Sequence, residues 1–465
     1  MSTPAPAAAK RGKEWLDSWN PEDEASWDKA LAWRTLWIST FALTLAFSTW
    51  FLASALAPIL NNLGFDLSKD QLYWLTAMPG LAGGTLRLVW MVLPPLMGTR
   101  KLVAITTLLL VLPLVGWAQA VGNPDTPFWW LLCLAALAGI GGGAFSGFMP
   151  STSYFFPRSK QGTALGLQAG IGNFGVSLVQ FLTPLVVGVG VIGASQVFVD
   201  KAKGVENEVW YQNAALVYVP FVVIAAILAW TMLKSVPVTA NIHQQLDIFG
   251  NADTWFMTML YIMTFGTFAG LSAQFGLLLK NLYGAGNPEI VEGAAPGGAL
   301  LVAGYTLPVV ASIVFLGPLV GAGARVAFSP LTDKFGGAPW TMVSGIGIIG
   351  SILYTMPYLT PDLSSAEALT SDRQHFVWGM VAIFLFAGIG NASTFKQMPM
   401  IFERRQAGGV IGWTAAIAAY GPFFFGVGLT LMSPQAFYSI GIAFAVVCLV
   451  ITWVRYARPG APKKC

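Results

Sequence analysis

Charge is what this chain has least of. Asp, Glu, Lys and Arg together make up 10% of the residues, against 55% hydrophobic ones, and the mean hydropathy is +0.65. So little charge cannot cover the surface of a soluble fold, so a polytopic membrane protein is expected. Cysteine and histidine are nearly missing as well. Cys133, Cys448 and Cys465 are too scattered for a disulfide framework or a metal pattern, and His243 and His375 are too few to build a metal or haem site. The chain also lacks a phosphate-binding loop, a cofactor motif and a polar stretch long enough for a soluble domain. No cofactor, metal or nucleic acid is therefore expected as a partner, and no enzyme activity. Residues 1–35 are polar and charged, so no cleavable leader is expected.

What is present is a series of apolar runs of spanning length: 36–60, 72–97, 102–122, 128–156, 163–189, 213–233, 254–279, 301–330, 339–359, 375–402, 409–433 and 436–455. They predict an all-α membrane protein of twelve transmembrane helices. Eighteen Trp, 12 Tyr and 31 Phe supply ample material for interfacial belts. Placing the basic residues on this scheme puts 17 in the tails and the loops on their side, and 5 on the opposite side. The positive-inside rule then sets both termini in the cytoplasm, with the chain in the cytoplasmic membrane, in contact with lipid.

The organisation expected is a cytoplasmic N-terminal segment (1–35), a six-helix bundle (36–234), a cytoplasmic linker (235–253), a second six-helix bundle (254–455) and a cytoplasmic tail (456–465). In the first segment, Asn20-Pro21-Glu22-Asp23 reads as a helix start, followed by a short helix that lies on the membrane surface or is solvated. Val191–Glu208 and Asn281–Gly298 read as mobile external loops. The two bundles echo each other: Ala138-Gly139-Ile140-Gly141 recurs 249 residues later as Ala387-Gly388-Ile389-Gly390. Paired halves of this kind hold a substrate near the midplane between them, and a monomer suffices for that.

One charge interrupts the run from Leu72 to Met97, and it is Arg87. A buried arginine in a bilayer costs from about 3 kcal/mol to more than about 10 kcal/mol, depending on the scale. The event recurs once, at Arg325, and both arginines are followed 11 residues later by glycine, Gly98 and Gly336. Snorkelling or a bond to kinked backbone would accommodate one such residue. Two at matching depth predict a shared central site. All 21 Asp and Glu fall in tails, loops or span ends, so that site has cations and no carboxylate, and its guest is a small anion.

Other residues are candidates with two readings each. Asn173 either donates to the anion or bridges helices. Tyr261 and Phe265, four apart on one helix face, either meet a planar anion or pack in the core. Gly166, Gly170, Gly172 and Gly175, with Gly388 and Gly390, allow close helix packing and also sliding between states. Lys396 either reaches the nearby edge or changes charge during a cycle, as an arginine cannot.

At GLQAGIGNFGVSLVQ (Gly166–Gln180) the chain resembles the nitrate signature of the nitrate/nitrite porter family (NarK-type) of the major facilitator superfamily. The resemblance extends through PGLAGGTLR (Pro79–Arg87), AGIGGGAFSGFMPSTSYFFP (Ala138–Pro157), MLYIMTFGTFAG (Met259–Gly270), GARVAFSPLTDKFGG (Gly323–Gly337) and GIGNASTFKQMPMIF (Gly388–Phe402). It implies two pseudo-symmetric six-helix bundles rocking about one nitrate or nitrite site. Arg87 and Arg325 would clamp the anion, Phe145, Tyr261 and Phe265 would sandwich it, and Asn173 would hydrogen-bond near it. The second glycine signature, at Gly412–Gly426, is poor in glycine, and Lys396 stands where exchange-type members would carry a neutral residue. The expectation is therefore proton-coupled nitrate import, with the proton as co-substrate. Nitrate/nitrite exchange, and a carrier or channel for another small anion such as formate, are the alternatives.

Overall fold

The computed structural model describes residues 12–465 apart from 18, 26, 191, 201–204, 238–245, 285–286, 288–299, 303–304 and 308–312. Twelve long helices form the body: α1 Lys29–Trp50, α2 Lys69–Trp90, α3 Leu93–Ala120, α4 Phe128–Ser153, α5 Arg158–Val186, α6 Asn213–Met232, α7 Ala252–Tyr283, α8 Leu316–Phe335, α9 Gly337–Leu359, α10 Ala366–Ile401, α11 Gln406–Leu431 and α12 Pro434–Ala457. Ten are long and apolar enough to cross a membrane; the two outside that set, α2 and α8, are the carriers of Arg87 and Arg325.

Side-chain caps set several starts. Asp28 accepts from the Leu31 amide and opens α1, Ser68 and Gln71 form a capping box on α2, and Ser365 and Ser433 cap α10 and α12. Gly98 (φ 73°, ψ 160°) breaks the helical path inside α3, and Gly336 (φ 86°, ψ 162°) turns the chain from α8 into α9. Only glycine takes such backbone angles without strain, and their match shows the repeat at the level of single dihedrals.

Helices α1–α6 and α7–α12 form two bundles. Within them, α2 packs on α4 and α8 on α10; between them, α2 meets α11 and α5 meets α8. Helices α6, α9 and α12 are the least buried of the spanning set. On α6, Phe221, Ile224, Ile227 and Trp230 point outward, as do Ile440, Val447, Val450 and Trp453 on α12. Spacings of three and four make these apolar stripes suited to lipid.

The structure corrects four expectations about elements. Among the described residues of 20–27 no helix forms, only turns and extended chain. The indoles of Trp19 and Trp27 donate to the carbonyls of Tyr154 and Phe155, and these tertiary bonds hold the segment against the bundle. Glu14 pairs with Lys101 of α3 at 3.1 Å, and Trp15 bridges to Ser235 after α6, so the N-terminal segment ties α3, the α4–α5 junction and the end of α6 together. Second, the eighth span does not start at residue 301 but at Leu316; before it, β3 (Leu300–Val302) and β4 (Tyr305–Leu307) pair antiparallel. Third, the described part of Val191–Glu208 is no irregular loop, because β1 (Gln196–Asp200) pairs with β2 (Val205–Val209). Fourth, α1 starts at Lys29 rather than at residue 36. Most of Asn281–Gly298, and residues 238–245 of the expected linker, lie outside the described residues.

Candidate functional site

Arg87 sits in the last turn of α2 and is fully buried. Its Nε donates to the Gly142 carbonyl of α4 at 2.9 Å, and its Nη1 donates to the Ala415 carbonyl of α11, in the other bundle, at 2.7 Å. Its Nη2 has no partner. The guanidinium carbon lies 4.6 Å from the Phe145 ring centre and 5.2 Å from those of Trp50 and Phe265. Ring faces carry partial negative charge, so each such contact offsets desolvation by about 0.5–2 kcal/mol.

Arg325 in α8 is equally buried, with its guanidinium carbon 5.2 Å from the Phe395 ring centre. Asn173, on α5 of the first bundle, is buried beside it. In the amide orientation that satisfies both ends, its oxygen accepts from Arg325 Nη1 at 3.3 Å and its nitrogen donates to the Ala169 carbonyl at 3.3 Å. In that orientation Asn173 links α5 to α8. Arg325 Nη2, like Arg87 Nη2, is left without a partner.

The aromatic residues join the two arginines into one cluster. Tyr261 and Phe265 stack at 5.4 Å and 10°, Phe265 stacks on Phe145 at 6.4 Å, and Phe395 closes the group at 6.1 Å from Tyr261 and 6.5 Å from Phe145. A π turn over Ile262–Gly266 re-aims this part of α7, as such turns do at functional sites. The Tyr261 hydroxyl and both side-chain polar atoms of Asn391 have no hydrogen-bond partner, although both residues are buried. Four buried donor-bearing side chains thus keep unused N–H or O–H groups, which costs free energy until an acceptor arrives.

No carboxylate balances the arginines here. Among the described residues the buried acid is Asp253, and it is engaged at the ends of α7 and α12 by Arg455 (2.9 and 3.0 Å) and Tyr456 (2.8 Å). The site is a buried cationic cluster packed among aromatic rings.

The candidate glycines divide. A Cβ on Gly170 would collide with Val326 of α8, and one on Gly166 would sit 3.5 Å from Ser329, so both face the other bundle. Gly172 and Gly175 instead press on Leu43 and Thr44 of α1, Gly388 on Gly321, and Gly390 on Ser344 and Thr264, all within one bundle. Lys396 is half-buried on α10, one residue beyond Phe395. Trp50, Phe395 and the carbonyls of Gly142 and Ala415 touch the two arginines and carry no mark of it in the sequence. Asn391, four residues before Phe395, shares its helix face.

Comparison with known proteins gives a consistent picture. The Major Facilitator Superfamily pattern matches residues 36–400. The chain is 54% identical to a probable nitrate/nitrite antiporter, NarK2, of Thermus thermophilus, over 97% of this chain and 98% of that protein. It is 34% identical to the nitrate/nitrite transporter NarU of Escherichia coli, over 97% of each. Among solved structures, it resembles a bacterial homologue of the lysosomal transporter Spinster, captured inward-facing and occupied, at a TM-score of 0.60 and 15% identity over 91% of this chain and 97% of that one. The nucleoside transporter NupG matches at a TM-score of 0.60 and 10% identity, over 91% and 98% of the two chains.

Proposed function

The chain belongs to the nitrate/nitrite porter family of the major facilitator superfamily, and from that premise we propose that it is a secondary carrier of nitrate, accepting nitrite as well, which works by alternating access. The observation that carries this reading is the pair of buried guanidiniums, one from each bundle, each with an unpartnered Nη2 and, among the described residues, no buried carboxylate beside them. Nitrate is planar and its single charge is spread over three oxygens. Guanidinium N–H groups match such oxygens, and the faces of Phe145 and Phe265 match its plane. Arg87 and Arg325 hold the anion, Tyr261 adds a hydroxyl donor, and Asn173 holds Arg325 in place. Gly166 and Gly170 let α5 and α8 move past each other at close range.

For coupling, we propose proton-linked import across the cytoplasmic membrane with both termini in the cytoplasm, Lys396 being the group whose charge changes. Its place beside Phe395, whose ring lies on Arg325, would link its charge to the site. Nitrate/nitrite exchange is the second reading, favoured by the antiporter names of the Thermus thermophilus relatives. Nitrate uptake into proteoliposomes decides between them. Import predicts accumulation driven by an inward proton gradient with no internal anion, and its loss of pH dependence in Lys396→Gln. Uptake that needs internal nitrite and ignores the gradient establishes exchange. A variant that keeps the wild-type pH profile removes Lys396 from the mechanism.

A further inference from the structure

The repeat relates more than the two arginines. Gly83 and Gly139 mark the close crossing of α2 and α4, a Cβ on Gly139 coming within 2.8 Å of the Gly83 nitrogen. Gly321 and Gly388 mark the same crossing of α8 and α10, where a Cβ on Gly388 would collide with Gly321. Gly321 lies 238 residues after Gly83, the separation of Arg325 from Arg87, and Gly388 lies 249 after Gly139. In the first bundle the residue beside Arg87 is Gly142, whose carbonyl accepts from Nε. The residue 249 further on, the equivalent of Gly142 by this repeat, is Asn391, on the same helix as Phe395, whose ring meets Arg325.

The two positions are filled differently. A Cβ on Gly142 would lie 2.6 Å from the Trp50 ring, so an indole occupies that place in the first bundle. In the second bundle the place belongs to an amide side chain. Asn391 is fully buried, shares a helix face with Phe395, and leaves both Oδ1 and Nδ2 unpartnered. A buried amide left so is unfavourable unless something else meets it. The site contains both kinds of group it needs: guanidinium N–H donors for Oδ1, and, once loaded, an anion oxygen for Nδ2.

We propose that Asn391 is a specificity-determining ligand of the transported anion, its Nδ2 donating to the nitrate oxygen that nitrite lacks. This rests on the reading of the arginine cluster as an anion site. The two arginines, entering from opposite bundles, occupy two oxygens of either anion. The third oxygen exists in nitrate alone and needs a donor from another direction, which the position of Asn391 on α10 provides.

The test measures KM for nitrate uptake, and the inhibition constant of nitrite against it, in proteoliposomes of wild type, Asn391→Ala and Asn391→Ser. The expected result is a rise in nitrate KM of about tenfold or more, the scale of one hydrogen bond to a charged group, with the nitrite constant changing less than about threefold. Thermal unfolding in detergent supplies a second readout: sodium nitrate raises Tm of the wild type and much less that of the variants. Should nitrite fail to compete even in wild type, this nitrate-dependent shift decides alone. Equal changes for both anions, or an unchanged nitrate shift, overturn the proposal and leave Asn391 a packing residue. Arg325→Lys is run alongside: if it transports normally, the anion-site reading itself fails, whereas an unchanged anion ratio in the Asn391 variants alone removes this inference only.

Discussion

Each central arginine is divided between two tasks. Arg87 uses Nε and Nη1 on carbonyls of α4 and α11 and leaves Nη2 without a partner, the group that the proposed reading gives to the anion. Lysine has one nitrogen and cannot span two carbonyls while presenting a third donor in a fixed plane. Removing one partner of a buried, charged hydrogen bond costs about 2–5 kcal/mol. Arg87→Lys or Arg325→Lys should therefore lower nitrate kcat/KM by about 30-fold or more, with the protein still eluting as a single folded species in detergent. Uptake within about twofold of wild type in either variant would dismiss the clamp. These two residues were legible in the sequence because a charge in an apolar run has no ordinary reason to be there. Phe395 and Trp50 were not, since they are two among 31 Phe and 18 Trp and nothing local separates a ring on a guanidinium from a ring in a core. Asn173 was found, but whether its amide faces an anion or a helix depends on Arg325, which is distant in sequence.

At the scale of elements, the α5–α8 contact is one of two places where the bundles approach closely through glycine, the other being α2–α11 at Gly80, Gly84 and Gly426. Gly170 leaves room for Val326, and no other residue type would. Gly170→Ala should insert and bind, because it touches neither arginine, but it wedges apart one packed state. Overpacking of this kind costs about 1–3 kcal/mol, so the maximal uptake rate should fall about fivefold to 100-fold with KM nearly unchanged. Val326→Ala in the same protein should restore it. Failure of that rescue would mean the glycine serves something other than this crossing. Most helices were legible from apolar length alone. The start of α8 was missed because residues 301–315 are apolar and rich in Val, Leu and Ile, and hydropathy does not tell a strand from a helix in a short run. Asn20-Pro21 carries helix-start chemistry, but bonds from Trp19 and Trp27 to the α4–α5 junction override it.

For the whole molecule, the question is which side is shut. Thr76 bonds Gln274 at 2.8 Å, Gln180 bonds the Ser272 carbonyl at 2.8 Å, and Asn281 bonds Tyr73 at 3.1 Å, each joining one bundle to the other. All three lie near the start of α2 and the end of α7, on the face opposite the termini. That face is latched by hydrogen bonds worth about 1 kcal/mol each. Removing two, with Gln180→Ala and Gln274→Ala together, should shift the open-to-closed ratio on that face about 30-fold. Spin labels at Asp66 and Ser364 should report longer distances in the double variant. An unchanged distance distribution would show that these bonds do not hold the face closed. The two-bundle plan itself was legible, because the repeat of glycine and arginine survives in single residues. Which face is closed was not, because it depends on side chains that meet only across the midline.

On the proposed reading, a site of two guanidiniums with no carboxylate among the described residues makes the carrier a voltage-sensing object. Its two charges would lie within the insulating layer, where the electrical potential between the two aqueous phases drops, and a monovalent guest would cancel only one. Each elementary charge moved through the full drop is worth about 2.3 kcal/mol per 100 mV. The empty and the loaded forms thus respond to the electric field unequally, by one charge, and the energised membrane biases the two arms of the cycle to different degrees.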